Sequence, residues 1–240
     1  MNPETLREAQ TIFAKIKRGL SRKKNVEVVI CPPFIYLEKL LAGNGRLGIG
    51  AQDAFWEERG AYTGQISINQ LSKLGVSYII LGHSERREQG DTNESVHKKI
   101  LEAFRFRLRV VLCIGERVRD EEGDYLSFLQ NELLEGLEKI PARFYKNLVI
   151  AYEPIWAIGE KGKASTPEDF LEKSIFIKKV LANLTDKKTA LRVPILYGGS
   201  VDETNAEGFL YTGKADGLLV GRASLDPKSF NEILNMRGYV

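Results

Sequence analysis

Two side chains in this 240-residue sequence stand where a base and a hydrogen-bond donor could work on one small molecule. Glu153 ends the apolar run "LVIAY" (148–152) and is followed by an apolar loop containing Pro154, Trp156 and Gly159. A carboxylate in that place often caps the next helix, but the next helical stretch begins only near Thr166, which leaves Glu153 available as a general base. The apolar loop resembles a lid that could exclude water. His83 sits in "Gly82-His83-Ser84-Glu85", directly after the run "SYIIL" (77–81). A lone histidine at a strand end is more often a hydrogen-bonded core residue than a reactant. As a neutral imidazole it could instead donate a hydrogen bond to a substrate carbonyl, with Glu85 holding a hydroxyl or orienting a neighbour. His97 lies inside a charged helical stretch and reads as solvated surface. Two further stretches, "ILYGGSV" (195–201) and "DGLLVGRASLDP" (216–227), end strands in glycines. Turn chemistry alone explains glycines there. Two successive glycine-rich strand ends beside helix starts also present backbone N–H groups in the way a phosphate needs.

The elements that must position these residues alternate regularly. Short β-branched runs at "VEVVI" (26–30), "LGIGA" (47–51), "SYIIL" (77–81), "RVVLC" (109–113), "LVIAY" (148–152), "VPIL" (193–196) and "DGLLV" (216–220) predict seven strands. Helical patterns fall between and after them, near 33–42, 67–74, 93–106, 120–139, 166–183, 202–211 and 226–236, with start signals at Thr92, Thr166-Pro167 and Asp226-Pro227. A further helix opens the chain, with Asn2 as its expected N-cap, Pro3 in its first turn, and Leu6, Ala9, Phe13, Ile16 and Leu20 in one apolar stripe. Apolar strands joined by helices imply a parallel sheet buried on both faces, doubly wound or closed as a barrel. Seven strands behind a leading helix match a (βα)8 TIM barrel, an α/β fold, without its first strand, as a single domain over 1–240. In such barrels chemistry gathers at the C-terminal strand ends, where Glu153, His83 and the glycines all lie.

Composition excludes several functions. With 43% hydrophobic and 28% charged residues, and 35 basic against 32 acidic side chains mixed along the chain, there is neither a nucleic-acid stripe nor a membrane-facing patch. No apolar run is long enough to span a bilayer and no secretory leader is recognisable. Cys31 and Cys113 lie in or beside apolar strand-like runs and are too few for a disulfide framework, which points to a reducing compartment, the cytoplasm.

Taken together, "GAQDAFWEERGAYTGQIS", "LGHSERR", "CIGE", "YEPIWAIG", "YGGSV" and "DGLLVGRASL" resemble triosephosphate isomerases in order and spacing, from about Asn2 to the C-terminus. The resemblance implies interconversion of dihydroxyacetone phosphate and glyceraldehyde 3-phosphate without a metal or cofactor. It makes Glu153 the base that moves the proton between two substrate carbons and His83 the neutral electrophile, with Glu85 and Cys113 in support. Gly159, Ser200, Gly221 and Arg222 match positions whose backbone N–H groups hold the substrate phosphate, Gly159 when the lid is shut. Loop 52–66 matches the dimer loop, with Thr63 near its tip reaching toward the partner's site, so a homodimer is implied.

Several positions depart from the family pattern. The lid's second half carries Glu160, Lys161 and Gly162, which would alter its opening kinetics; Arg222 and Gln65 replace a common Gly and Glu. Arg107 occupies a helix end where Gly is usual, so a retained left-handed turn would be strained by about 1 kcal/mol. Family members begin with a strand ending in an Asn-Trp-Lys-Met-Asn type motif, of which Met1 and Asn2 match the last two residues. The sequence therefore suggests an internal start or a shortened product, without the Asn and Lys that line the family's site. Loss of one preorganised stabiliser predicts a rate lower by about 100 to 1000-fold. Two unpaired apolar edges, "VEVVI" and "DGLLV", predict low stability, aggregation, a loosened barrel or an altered dimer. A non-catalytic barrel remnant with a binding or assembly role is the alternative. An aldolase-like or tryptophan-pathway barrel is disfavoured, because no lysine ends a strand where a Schiff base would form.

Overall fold

The computed structural model describes residues 2–20, 26–120, 123–157 and 165–236. The chain begins with α1 (Leu6–Leu20) and then alternates. β1 (Val29–Ile30) leads through a 3-10 turn into α2 (Leu37–Leu41); β2 (Gly48–Ala51) is followed by α3 (Ile68–Leu74). β3 (Tyr78–Leu81) precedes a short α4 (Ser84–Glu88) and the longer α5 (Asn93–Arg105). Next come β4 (Arg109–Ile114), α6 (Asp124–Gly136), β5 (Leu148–Tyr152), α7 (Pro167–Leu184) and α8 (Lys187–Arg192). The chain ends with β6 (Ile195–Tyr197), α9 (Ala206–Tyr211), β7 (Gly217–Leu218) and α10 (Pro227–Asn235).

The strands form one sheet in sequence order, β1 to β7, every neighbouring pair parallel. The longest register is between β4 and β5, where Val110 pairs with Leu148 and Ile114 with Tyr152. Alternation along the strands divides the core in two. One face sends Tyr78, Val111, Cys113, Val149 and Ala151 into a small inner cluster, joined by Val29, Ile80, Leu196 and Leu219. The other face sends Ile79, Leu81, Val110, Leu112, Ile150, Tyr152 and Tyr197 outward against the helices in the main core. Residues beside both β1 and β7 line one cavity of about 930 Å³, so the sheet curls until its edges face each other. This is a TIM barrel lacking one strand, as the sequence indicates: among the described residues β1 and β7 are each paired on one side only. The stripe of α1, with Ala9, Phe13, Ile16 and Leu20 buried, packs beside α10 and over that cavity.

Local details differ from the sequence reading in a few places. Helix α1 starts at Leu6, not near Asn2, because the Thr5 hydroxyl accepts the Glu8 N–H at 3.2 Å and acts as the cap. The short helices α4 and α8 lie outside the expected set, since SERRE has no apolar residue and KKTALR only two, too few to show a stripe. His97 is half-buried and its Nδ1 lies 3.2 Å from the Gly136 carbonyl at the end of α6, so it is a helix-helix contact and not solvated surface. Arg107 does keep the left-handed turn, at φ 60.

Candidate active site

The two candidate catalytic side chains meet. Glu153 follows β5 and is 2% exposed, while His83 follows β3 as the cap of α4, and His83 Nε2 lies 3.2 Å from Glu153 Oε1. The imidazole's other nitrogen, Nδ1, accepts the Glu85 N–H at 3.3 Å. An accepting Nδ1 leaves the ring neutral with its proton on Nε2, so the N–H points toward the carboxylate and the cavity. On Glu153, Oε2 accepts the Ser84 N–H at 3.4 Å, and the Cys113 thiol donates from β4. Burial raises the Glu153 pKa above the ordinary carboxylate range, opposed by His83, Ser84 and Cys113. Desolvation likewise holds the Cys113 thiol well above its usual pKa, so it is a neutral donor.

Room for Glu153 is made by glycines on the flanking strand ends. A Cβ on Gly115, after β4, would lie 1.8 Å from the Glu153 carbonyl oxygen, and one on Gly198, after β6, would lie 2.8 Å from Glu153 Cγ. Only a residue without a side chain fits either place.

The cavity that His83 and Glu153 line also carries Glu85, Ser200, Gly221 and Arg222. Ser200 sits at φ 45, and its hydroxyl donates to the Ala157 carbonyl at 2.7 Å. Gly221 opens the 3-10 turn Arg222–Leu225. The two glycine-rich strand ends thus open on the same space as the carboxylate and imidazole, with Gly198 of the first directly against Glu153. Cys113 stands behind Glu153 in the wall. Gly159, together with Glu160, Lys161 and Gly162, lies outside the described residues. Thr63 is exposed on loop 52–66 and does not line this cavity; the loop is tied down by Asp53, whose carboxylate meets Lys99 at 2.9 Å and Arg86 at 2.8 Å.

Two carboxylates near the site were not singled out as functional from sequence. Glu116, in the "CIGE" stretch, accepts from Tyr152 OH and Trp156 Nε1, both at 2.8 Å, which fixes the start of the segment after Glu153. Glu132 on α6 accepts the Gly115 N–H at 2.9 Å and pairs with Arg87. Nothing in their local sequence separates Glu132 from the other acids of its helix.

Residues 1–237 match the family model described as triosephosphate isomerase. Among curated proteins named triosephosphate isomerase, that of Dictyoglomus thermophilum is 40% identical over 226 residues, covering 92% of this chain and 89% of the relative. That of Moorella thermoacetica is 41% identical over 235 residues, covering 96% and 93%, and that of Aquifex aeolicus 39% over 236 residues, covering 96% and 94%.

Proposed function

The chain belongs to the triosephosphate isomerase family, and from that membership and the geometry of the site we propose how its residues carry the reaction. The protein is an aldose-ketose isomerase that interconverts dihydroxyacetone phosphate and glyceraldehyde 3-phosphate. One observation supports the residue roles above others: a desolvated carboxylate and a neutral imidazole N–H converge at 3.2 Å on one cavity that Gly198, Ser200 and Gly221 also line.

Glu153 takes a proton from the carbon beside the substrate carbonyl, while the His83 Nε2–H donates to the carbonyl oxygen where negative charge develops, giving an enediolate. Return of the proton from Glu153 to the neighbouring carbon completes the isomerisation. Burial favours the neutral carboxyl, which strengthens Glu153 as a base once it is ionised. Ser200, Gly221 and Arg222 hold the phosphate through backbone N–H groups, so the Arg222 side chain does not remove the donor at its position. Cys113 and Glu85 support the pair, through the thiol on Glu153 and the N–H on His83 Nδ1. The reaction asks for no cofactor or metal. We also read the chain as one barrel domain over 1–240, acting in the cytoplasm as a homodimer in which loop 52–66 and Thr63 meet the partner. No described helix is long and apolar enough to cross a membrane.

An assay of purified protein on dihydroxyacetone phosphate tests these roles. Turnover abolished in Glu153→Gln and strongly reduced in His83→Gln, with both variants folded, is the expected result. Wild-type rates in either variant would remove that residue from the mechanism.

A further inference from the structure

Behind the catalytic pair, away from the cavity, lies a buried ion pair that the reaction as written does not use. Glu132 on α6 is 2% exposed; its Oε1 is 3.2 Å from Arg87 Nε and its Oε2 accepts the Gly115 N–H at 2.9 Å. Arg87 Nε also donates to the Gly82 carbonyl at 2.8 Å, and its Nη1 to Asn93 Oδ1 at 2.6 Å; Asn93 Nδ2 in turn donates to Glu135, again on α6, at 3.0 Å. The two arms end beside the two catalytic groups. Gly82 immediately precedes His83 and is held in a left-handed conformation, φ +71, in which a Cβ would lie 3.1 Å from both Arg87 Nη2 and the Cys113 carbonyl. Gly115 lies against the Glu153 backbone so closely that a Cβ would overlap its carbonyl.

We infer that Glu132 and Arg87 are positioning residues for the isomerisation: their buried pair ties the turn that carries His83 to the strand end that carries Glu153 and sets the separation of the two. The inference rests on the roles proposed for those two residues. A purely structural reading is weaker here, because a buried ion pair gains little stability over an apolar pair of the same volume, and this one leaves Arg87 Nη2 without a hydrogen-bond partner among the described residues. Groups that orient a reacting residue tolerate little displacement.

The pair is also electrostatically coupled to the base. The charged or titratable groups facing Glu132 are Arg87 from α4, Cys113 from β4, Glu116 after β4, and Glu153; those facing Glu153 are His83, Cys113 and Glu85. Burial lifts the Glu132 pKa to about 7 against the attraction of Arg87 and the Gly115 N–H. Removing the Glu132 charge would leave the Arg87 cation unopposed near Glu153 and make Glu153 easier to ionise.

The test compares wild-type protein, Glu132→Gln, which keeps the volume and an acceptor for Gly115, and Arg87→Lys, which keeps the cation but loses the planar guanidinium that reaches Asn93 through Nη1 while its Nε lies between the Gly82 carbonyl and Glu132. The readouts are kcat and KM for dihydroxyacetone phosphate, the melting temperature, and the titration of Glu153 by carboxyl 13C NMR, assigned with Glu153→Gln. Both variants should lower kcat about tenfold or more with KM within about twofold. In Glu132→Gln the Glu153 titration should move to lower pH. Wild-type kcat and an unmoved Glu153 titration, or a change confined to melting temperature, would overturn the inference. Should Glu132→Gln fail to fold, the kcat and KM of Arg87→Lys decide. Should wild-type protein show no turnover, the proposed catalytic roles fail, and the Glu153 titration alone decides whether the two carboxylates are coupled.

Discussion

At the scale of single residues, a carboxylate deprived of water must do its work as an anion, and this sets the pH behaviour. The folded Glu153 pKa is raised, so with Glu153 as the proposed base kcat/KM should fall as pH drops through a value above the ordinary 4.5. An acid limb centred at the ordinary carboxylate pKa would contradict that environment. For Glu132 the sign applies to stability: its pKa rises from 4.5 to about 7 on folding, so the native state binds more protons than the unfolded one between those values. Its contribution is most favourable below about pH 4.5 and is lost as pH rises toward about 7. Melting curves of Glu132→Gln should therefore improve relative to wild type as pH rises across this window; a constant difference would show that Glu132 does not titrate there. That Glu153 and His83 reach one cavity was legible in the sequence, because each directly follows a strand at the same end of the sheet. Glu132 was not, because its partner Gly115 is met only once α6 packs behind β4.

Elements were legible where periodicity ran long enough, and less so where caps and tertiary contacts decided. The stripe of α1 and the capping positions Thr92 and Thr166 were readable, and the Thr92 and Thr166 hydroxyls accept the N–H groups of Ser95 and Asp169. The start of α1 was misplaced because Asn2-Pro3 is as good a cap signal as Thr5, which is the residue used. Arg107, ending α5 at φ 60, is a strain that the sequence already marked. Arg107→Gly should relieve about 1 kcal/mol and raise the melting temperature by about 2–4 °C, with activity unchanged; a lower melting temperature would mean that the arginine contributes contacts worth more than the strain. Lys99 on α5, 2% exposed, bridges Asp53 at 2.9 Å and Asp91 at 2.6 Å. Lys99→Ala leaves those carboxylates short of a buried cation and should cost about 3–5 kcal/mol in chemical denaturation. A loss under about 1 kcal/mol would show that Arg86 alone satisfies Asp53.

For the molecule as a whole, the seven strands among the described residues leave a pair of open edges. Val29–Ile30 and Gly217–Leu218 are apolar, parallel, and unpaired on one side among the described residues, and the cavity of about 930 Å³ that holds the candidate site lies against both. Such edges invite pairing with other chains. The purified chain should melt at a low temperature and associate through those edges beyond the proposed dimer made by loop 52–66, by thermal melting and gel filtration. A cooperative, high-melting monomer would contradict this. The barrel class and strand order were legible in the sequence because each strand pairs with the next in the chain. How the sheet's edges face each other was not, since curl depends on twist summed over all the strands. The most direct test of the central claim, that Glu153 removes a proton from a triose phosphate held beside His83, is solvent exchange. Dihydroxyacetone phosphate is incubated with the protein in D2O and followed by NMR. Deuterium entering the substrate carbon with wild-type protein, and none above background with folded Glu153→Gln, is the predicted result; equal exchange with both would contradict it.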